Sequence, residues 1–435
     1  MAGCPWQQAP HDSRMPRSRD AGQIRGRVLH VVNGEHYAGA ERVQDLLGGA
    51  LPWFGYEAGI ACVKPSQFAE ARKNRQVPLF DCHMASRFDV RPARKLARLI
   101  EERQYDLLHA HTPRSLLIAA VASLLARVPL VYHIHSPAVA DTTNWIRNRA
   151  NALLERVSLG TANHLIAVSS SLRERYLGLG FSTDRITVVS NGVPCGTSLP
   201  ARERSPEEPV VFGMTALFRP RKGLEILLQS MASLLAQGKR LRLRAIGLFE
   251  SPEYEKQIKQ LAANLGVDKA IDWTGFSSNV EQELAQIDCL VLPSLFGEGL
   301  PMVILEAMAA GRLVIATDVE GTPEAIRHGE NGLLARPSDP ESLADRMSQV
   351  VDGSADLLRL TERATRDQRE RFSVCSMARG AADVYDHVLG LTSKIGPCDL
   401  PCAVEASGSH DESGLVVLPS PIDDFTTSPE STTSP

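Results

Sequence analysis

Leu292-Pro-Ser-Leu-Phe-Gly-Glu-Gly-Leu-Pro-Met-Val-Ile-Leu-Glu-Ala-Met-Ala-Ala-Gly311 is the stretch whose reading decides the fold. An apolar strand stops at Pro293 and a glycine-rich turn follows. Pro301 stands where a first helical residue is expected. From there an apolar helix runs to Gly311, a residue suited to end it. Glu298 lies in the turn, and Glu306 lies about five residues into the helix. At about 1.5 Å rise per residue, Glu306 sits only roughly 7–8 Å up the axis. Helical side chains lean back toward the N-terminus, so both carboxylates can approach one ligand held over the helix start. The first-turn backbone, around Gly299, Leu300, Pro301 and Met302, presents N–H groups and the positive end of the helix dipole, which favour a phosphate. Carboxylates that accept hydroxyl hydrogen bonds suit a sugar or ribose. The plainer alternative is a surface Glu298 and a helix-face Glu306, but Glu306 stands among apolar neighbours, where an unpartnered carboxylate is costly.

Working outward, short β-branched runs alternate with helical patterns, which predicts parallel sheets wrapped by helices. The first half gives strands near Arg27–Val32, Gly59–Val63, Leu107–His109, Leu130–His135, His164–Val168 and Ile186–Val189. A stretch with three prolines and several charges, Leu199–Pro209, has linker composition. The alternation restarts at Val210–Met214, Leu241–Ile246, Ile271–Thr274, Cys289–Leu292 and Leu313–Ala316. The expected organisation is a disordered leader over 1–24, an N-terminal Rossmann-like domain over 25–200 and a linker over 201–209. A C-terminal Rossmann-like domain over 210–375 follows, then a helix over 376–395 long enough to dock back on the first domain. A disordered acidic tail fills 396–435. Ligands in such sheets bind at the carboxyl ends of the strands, so two facing domains imply a cleft.

At 435 residues the chain is too long for one ordinary domain. With 43% hydrophobic and 23% charged residues, it has the balance of a soluble globular protein. No uninterrupted apolar run of about 18 residues occurs, and the N-terminus has Arg without a following apolar core, so a cytoplasmic protein is expected. The eight cysteines are read as reduced thiols, because no second pair or clustered His completes a zinc set around Cys398 and Cys402. Charge is uneven. Residues 1–200 carry 24 Lys and Arg against 16 Asp and Glu, whereas residues 201–435 carry 23 against 35. The basic residues Arg91, Arg94, Lys95 and Arg98 on one helix suit either a solvated face or peripheral contact with anionic membrane.

Two further loops carry chemistry. Gly213-Met-Thr-Ala-Leu-Phe-Arg-Pro-Arg-Lys-Gly223 places Arg219, Arg221 and Lys222 between a strand and the helix Leu224–Leu235. Cations there can meet a diphosphate and neutralise a leaving group. Asn33-Gly-Glu-His-Tyr-Ala-Gly-Ala-Glu41 follows the first strand; Gly34 and Gly39 allow close backbone approach or simply make a turn. The G-x-G-x-x-G spacing is absent. His109, His111, His133 and His135 end two strands, with no carboxylate or Cys at ligand spacing. A core or hydrogen-bonded role suits His109 and His133. His135, before Ser136-Pro137 at a strand's carboxyl end, is the better active-site candidate. No metal site is expected.

Together these pieces resemble glycosyltransferase family 4, the retaining nucleotide-sugar transferases of the GT-B fold. The likeness spans about residues 25–392. It rests on Gly39-Ala-Glu41, His135, Asn191-Gly-Val193, Lys222-Gly223, the Glu298…Glu306 pair, Glu306-Ala-Met-Ala-Ala-Gly311 and Gly321-Thr-Pro-Glu324. The resemblance implies an α/β GT-B architecture of two Rossmann-like domains facing across a cleft. It implies that Glu306 binds the nucleotide's ribose, Glu298 the donor sugar's hydroxyls and Lys222 the diphosphate. Gly39 would approach phosphates or sugar, and His135 would lie beside the transferred sugar. It further implies a metal-independent hexosyl transfer to a glycan or lipid-linked acceptor, as in cell-surface polysaccharide synthesis. The nucleotide sugar is a co-substrate, so no cofactor is implied, and no nucleic-acid partner. The family places an Arg five residues before the Lys, where this chain has Leu217. Either Arg219 or Arg221 supplies that charge, or the diphosphate is held more weakly. A nucleotide-sugar epimerase and a non-catalytic nucleotide-sugar-binding protein are the alternatives.

Overall fold

The computed structural model describes residues 24–392 apart from 36, 38, 87, 88, 137–157, 197, 198, 200–204, 206 and 278. The expected leader (save Ile24), the acidic tail and most of the linker 201–209 lie outside the described residues.

Two all-parallel sheets account for the alternation in the sequence. The first has seven strands: β1 (Gly26–Val32), β2 (Tyr56–Cys62), β3 (Leu79–Asp81), β4 (Leu107–Ala110), β5 (Leu130–Ile134), β6 (His164–Ala167) and β7 (Ile186–Val188). Their order is β3-β2-β1-β4-β5-β6-β7. The second has six: β8 (Val210–Thr215), β9 (Leu241–Ile246), β10 (Ile271–Gly275), β11 (Cys289–Leu292), β12 (Leu313–Thr317) and β13 (Leu333–Ala335). Their order is β10-β9-β8-β11-β12-β13. Central strands such as β4, β5, β11 and β12 are buried along their whole length. Helices cover both faces, so these strands read as continuous apolar runs rather than alternating ones. In each sheet the order reverses between the first and fourth strands, β1/β4 and β8/β11. In open parallel sheets, ligands bind beyond the strands' carboxyl ends at such a point.

The sequence reading omits β3 and β13. Each is three residues long, forms a sheet edge and has no β-branched residue, unlike the equally short β7 (Ile186–Val188). The last helix spans Val374–Leu389 rather than 376–395. It docks on the N-terminal domain, with Met377, Ala378, Ala381, Ala382 and Tyr385 buried. One buried apolar cluster contains the inner residues of the first sheet, Val193, Leu300 and Met377 at the junction, and Leu290, Leu292 and Leu305 of the second domain. The two domains therefore share apolar contact.

The docking is fixed by one carboxylate. Asp386 is 1% exposed and accepts hydrogen bonds from Arg25 Nε at 2.9 Å, Arg25 Nη2 at 2.7 Å and Tyr56 Oη at 2.6 Å. The ring of Tyr56 meets that of Tyr385 edge-on, 5.2 Å between centroids. A bidentate guanidinium and a phenol satisfy the carboxylate where water cannot. Asp386→Ala should cost about 3 kcal/mol, because it leaves the Arg25 charge and a buried hydroxyl unpaired. Hydrogen exchange should show the loss as faster amide exchange along Val374–Leu389; unchanged exchange there would contradict the account.

Candidate active site

The glycine-rich turn after β11 is held in place by its neighbours. Glu298 is 5% exposed. Its carboxylate pairs with Lys222 Nζ, accepts from Ser294 Oγ and lies 3.9 Å from Arg221 Nη1. Burial alone would raise the Glu298 carboxyl; the Lys222 and Arg221 charges outweigh it and hold the group below its ordinary value. Burial pulls the Lys222 ammonium below its own ordinary value, against the opposing pull of Glu298. Lys222 reaches this spot because the turn Pro220–Lys222 ends at Gly223, whose φ is +70°. A β-carbon there would stand 2.0 Å from the Pro293 carbonyl oxygen, so only glycine lets the two loops touch.

The structure separates the two candidate arginines. Arg221 donates from Nη1 to the Gly297 carbonyl at 3.0 Å, against the Glu298 loop. Arg219 pairs with Glu250 at 3.6 Å. Arg221 is thus the cation beside Glu298 and Lys222. Leu217 is exposed at the same loop.

The helix spans Met302–Ala309, with Pro301 as its extended N-cap rather than its first residue, and Gly311 just past its end at φ +66°. Met302 and Leu300 are buried, and the Leu300 carbonyl accepts from Asn191 Nδ2 of the first domain at 2.8 Å. Glu306 is largely buried and pairs with Arg42, which lies in the N-terminal domain on the helix Gly39–Ala50. Burial pulls the Arg42 guanidinium down, yet the Glu306 charge leaves it above its ordinary value. Each carboxylate of the pair therefore faces a cation: Glu298 one from its own domain, Glu306 one from across the junction.

On the opposite side stands the carboxyl end of β5. A β-carbon on Gly299 would come 2.1 Å from the His135 carbonyl oxygen, and one on Gly321 would come 1.6 Å from the Gly299 oxygen. The two lobes thus meet backbone to backbone directly after Glu298. His135 is half-buried, with its Nε2 3.2 Å from His111 Nδ1; burial pulls its imidazole down to about 3. His109 and His133 are fully buried; His109 Nδ1 lies 2.7 Å from the Tyr385 hydroxyl. Gly39 opens the first helix rather than a loop, and a β-carbon there would meet open space. Gly34, at φ +84°, makes the turn.

Two motifs noted in the sequence fasten the lobes. Glu324 accepts from the backbone N–H groups of Ser170 at 2.8 Å and Ser171 at 3.0 Å, a carboxylate on the N-terminus of the helix Ser170–Gly178. Val193 exchanges backbone bonds with Phe372 and Val374. Sequence reasoning missed Arg42 and Glu320. The Glu320 side chain accepts from the Glu298 N–H; neither residue's partner is near enough in sequence to signal it.

Two parallel α/β sheets joined through a shared junction define a two-lobed class of fold, and the relatives of the chain specify its family. Residues 37–196 match the model of Glycosyltransferase Family 4, and residues 197–367 that of Glycosyl transferases group 1. The chain is 31% identical over 310 residues to a D-inositol 3-phosphate glycosyltransferase of Nocardioides, covering 65% of this chain and 67% of that one. It is 30% identical over 283 residues to an exopolysaccharide phosphotransferase of Streptomyces coelicolor; the match covers 64% of this chain but spans only 28% of that longer protein. A crystal structure of Anabaena HepE in complex with UDP and glucose superposes with a TM-score of 0.71 at 23% identity, covering 83% of this chain and all of that one. The chain belongs to the family 4 glycosyltransferases of the GT-B fold. It is a glycosyltransferase.

The Arg42–Glu306 contact makes a thermodynamic prediction. In a double-mutant cycle of Arg42→Ala and Glu306→Ala, the two stability losses should fall short of additivity by about 1–3 kcal/mol. Additive losses would mean the two side chains do not interact.

Proposed function

We propose that the enzyme transfers a hexose from a nucleotide-sugar donor to a hydroxyl of a glycan or lipid-linked acceptor, with retention of anomeric configuration. The observation that supports it best is a pair of ion-paired carboxylates on one loop and helix: Glu298 with Lys222 and Arg221 before the helix Met302–Ala309, and Glu306 of that helix with Arg42 of the first domain. Carboxylates able to accept hydroxyl hydrogen bonds and cations able to meet a diphosphate thus flank one helix. The HepE of Anabaena is in complex with UDP and glucose in its crystal structure, which makes a UDP-sugar the first donor to try.

Mechanistically, donor entry parts Arg42 from Glu306, and the freed carboxylate takes the ribose hydroxyls. Glu298 turns its second oxygen to the sugar's hydroxyls while Lys222 and Arg221 meet the diphosphate. The backbone of Gly299, Leu300 and Met302 supports the phosphates beside Pro301. As the glycosidic bond breaks, negative charge grows on the diphosphate, and these fixed positive groups stabilise it. The charge is met by side chains, so transfer needs no divalent metal at the diphosphate and no cofactor. His135, neutral because it is desolvated, can share a hydrogen bond with the sugar without adding a charge. The acceptor hydroxyl attacks from the leaving-group face and passes its proton to a phosphate oxygen. The basic face of the helix Pro92–Arg103, with Arg91, Arg94, Lys95 and Arg98, would bring a lipid-linked acceptor within reach on an anionic membrane. No helix among the described residues is long and apolar enough to cross one.

Thermal-shift screening with UDP-, GDP- and ADP-sugars should find one nucleotide that stabilises the protein. Glu306→Ala should then raise the donor dissociation constant more than about tenfold by calorimetry, a loss of at least roughly 1.4 kcal/mol. Lys222→Ala should lower kcat about 10²–10³-fold, with a smaller effect on donor affinity. NMR of the product should show the donor's anomeric configuration. Epimer formation from donor alone, or donor binding without turnover across an acceptor panel, would overturn the transferase mechanism proposed.

A further inference from the structure

Five imidazoles crowd the carboxyl end of the first sheet: His30 on β1, His109 on β4 and His111 just after it, His133 on β5 and His135 just after it. His109 and His133 stack 5.3 Å apart with planes 3° from parallel. His133 and His135 are 4.3 Å apart, and His111 and His135 5.5 Å. This arises because parallel strands in register place residues two apart on one face; His109 pairs with Val131 and Ala110 with Tyr132, which brings the two His-x-His segments side by side. Four of the five rings are 2% exposed or less.

Such a cluster is expensive unless its nitrogens are used. Both ring nitrogens of His133 are buried without a hydrogen-bond partner, as are Nε2 of His30 and Nε2 of His109. Native interiors pair nearly all such atoms, so each orphan here calls for a water or an ion as its partner. The nitrogen atoms of His111, His133 and His135 lie within 4.8 Å of one another. His111 Nδ1 and His135 Nε2 are 3.2 Å apart. Two nitrogens bound at about 2.0–2.1 Å to a tetrahedral ion are separated by roughly 3.3 Å, so this pair already has the spacing of a chelate. His133 offers a third nitrogen within 4.8 Å of both.

We propose that His111, His133 and His135 bind a divalent first-row transition ion of the Zn²⁺, Co²⁺ or Ni²⁺ type. An all-imidazole donor set selects that class over Mg²⁺ and Ca²⁺, which take oxygen ligands. The second layer of contacts fits. A neutral imidazole carries one proton, so His111, ligating through Nδ1, holds its proton on Nε2. From there it donates to His30 Nδ1, 3.0 Å away. A ligating histidine whose other nitrogen is fixed by a hydrogen bond is the usual arrangement in metal sites. The inner trio His30, His109 and His111 has comparable spacing but is sealed on all sides. The outer trio includes the half-buried His135, which provides an entry path and leaves a fourth coordination position toward the junction of the lobes. The proposal concerns the histidine cluster itself and stands whether or not the donor-site reading holds.

Calorimetric titration of tag-free, chelator-stripped full-length protein with ZnCl₂, and optical titration with CoCl₂, test it. One equivalent should bind, the Co²⁺ form showing visible bands of four-coordinate intensity and the Zn²⁺ form a raised thermal midpoint. His135→Gln, at a half-exposed position that should tolerate the change, should weaken binding by more than about tenfold and abolish the thermal shift, whereas His83→Ala, on the surface, should change neither. His133→Asn should act like His135→Gln if it folds. Absence of Zn²⁺ binding, or binding equally tight in His135→Gln, would overturn the site; the donor-site reading is tested separately by Glu306→Ala and Lys222→Ala.

Discussion

Everything at the junction depends on backbone meeting backbone at Gly299. With no side chain there, the loop after β11 rests on the His135 carbonyl at the end of β5, and Gly321 closes behind it. That approach puts two strand ends from different domains within reach of one small molecule. Without it, Glu298 and Glu306 would be surface groups of the second domain, facing water. The glycines exert their effect by what they leave out, since a β-carbon at either position would collide with a carbonyl oxygen that cannot move without its strand.

Given that approach, the charges arrange themselves by necessity. A carboxylate buried at such a junction must have a cation or change its protonation. Glu298 takes Lys222 and, at longer range, Arg221; Glu306 takes Arg42; Glu324 takes two backbone N–H groups of the first domain. Three acids of the second domain thus find their counter-charges in three different ways. Only the last contact, a carboxylate at a helix N-terminus, is built entirely from fixed geometry. The other two use long, rotatable cations, whose partners can be exchanged for a phosphate and a hydroxyl.

The local part of this was legible in the sequence. A strand, glycine turn and apolar helix are contiguous, so the placement of Glu298, Pro301 and Glu306 follows from residue order, as does the return of a basic loop before Leu224. The short strands Leu79–Asp81 and Leu333–Ala335 were not legible, because they lack the β-branched residues that mark the equally short Ile186–Val188. Nor were the pairings that span the chain. Asp386 with Arg25, Glu306 with Arg42 and Glu320 with the Glu298 amide connect positions whose relation exists only after both sheets have formed. The loop Arg219-Pro-Arg-Lys222 offered two arginines of equal merit on paper. Turn geometry chose between them by aiming one at Gly297 and the other at Glu250.

The histidines show the same boundary from the other side. Alternation along β5 places His133 and His135 on one face, which residue order alone foretells. That His30 and His111 join them depends on β1 and β4 being neighbours in the sheet, a consequence of the order reversal. One topological feature therefore has two chemical results. At β8/β11 it assembles acids and cations, which suit an anionic, hydroxyl-rich molecule. At β1/β4, with β5 alongside, it assembles neutral nitrogen donors in a desolvated pocket, and these suit a soft cation. His135 stands between the two, where the first sheet's strand ends meet the second domain's loop.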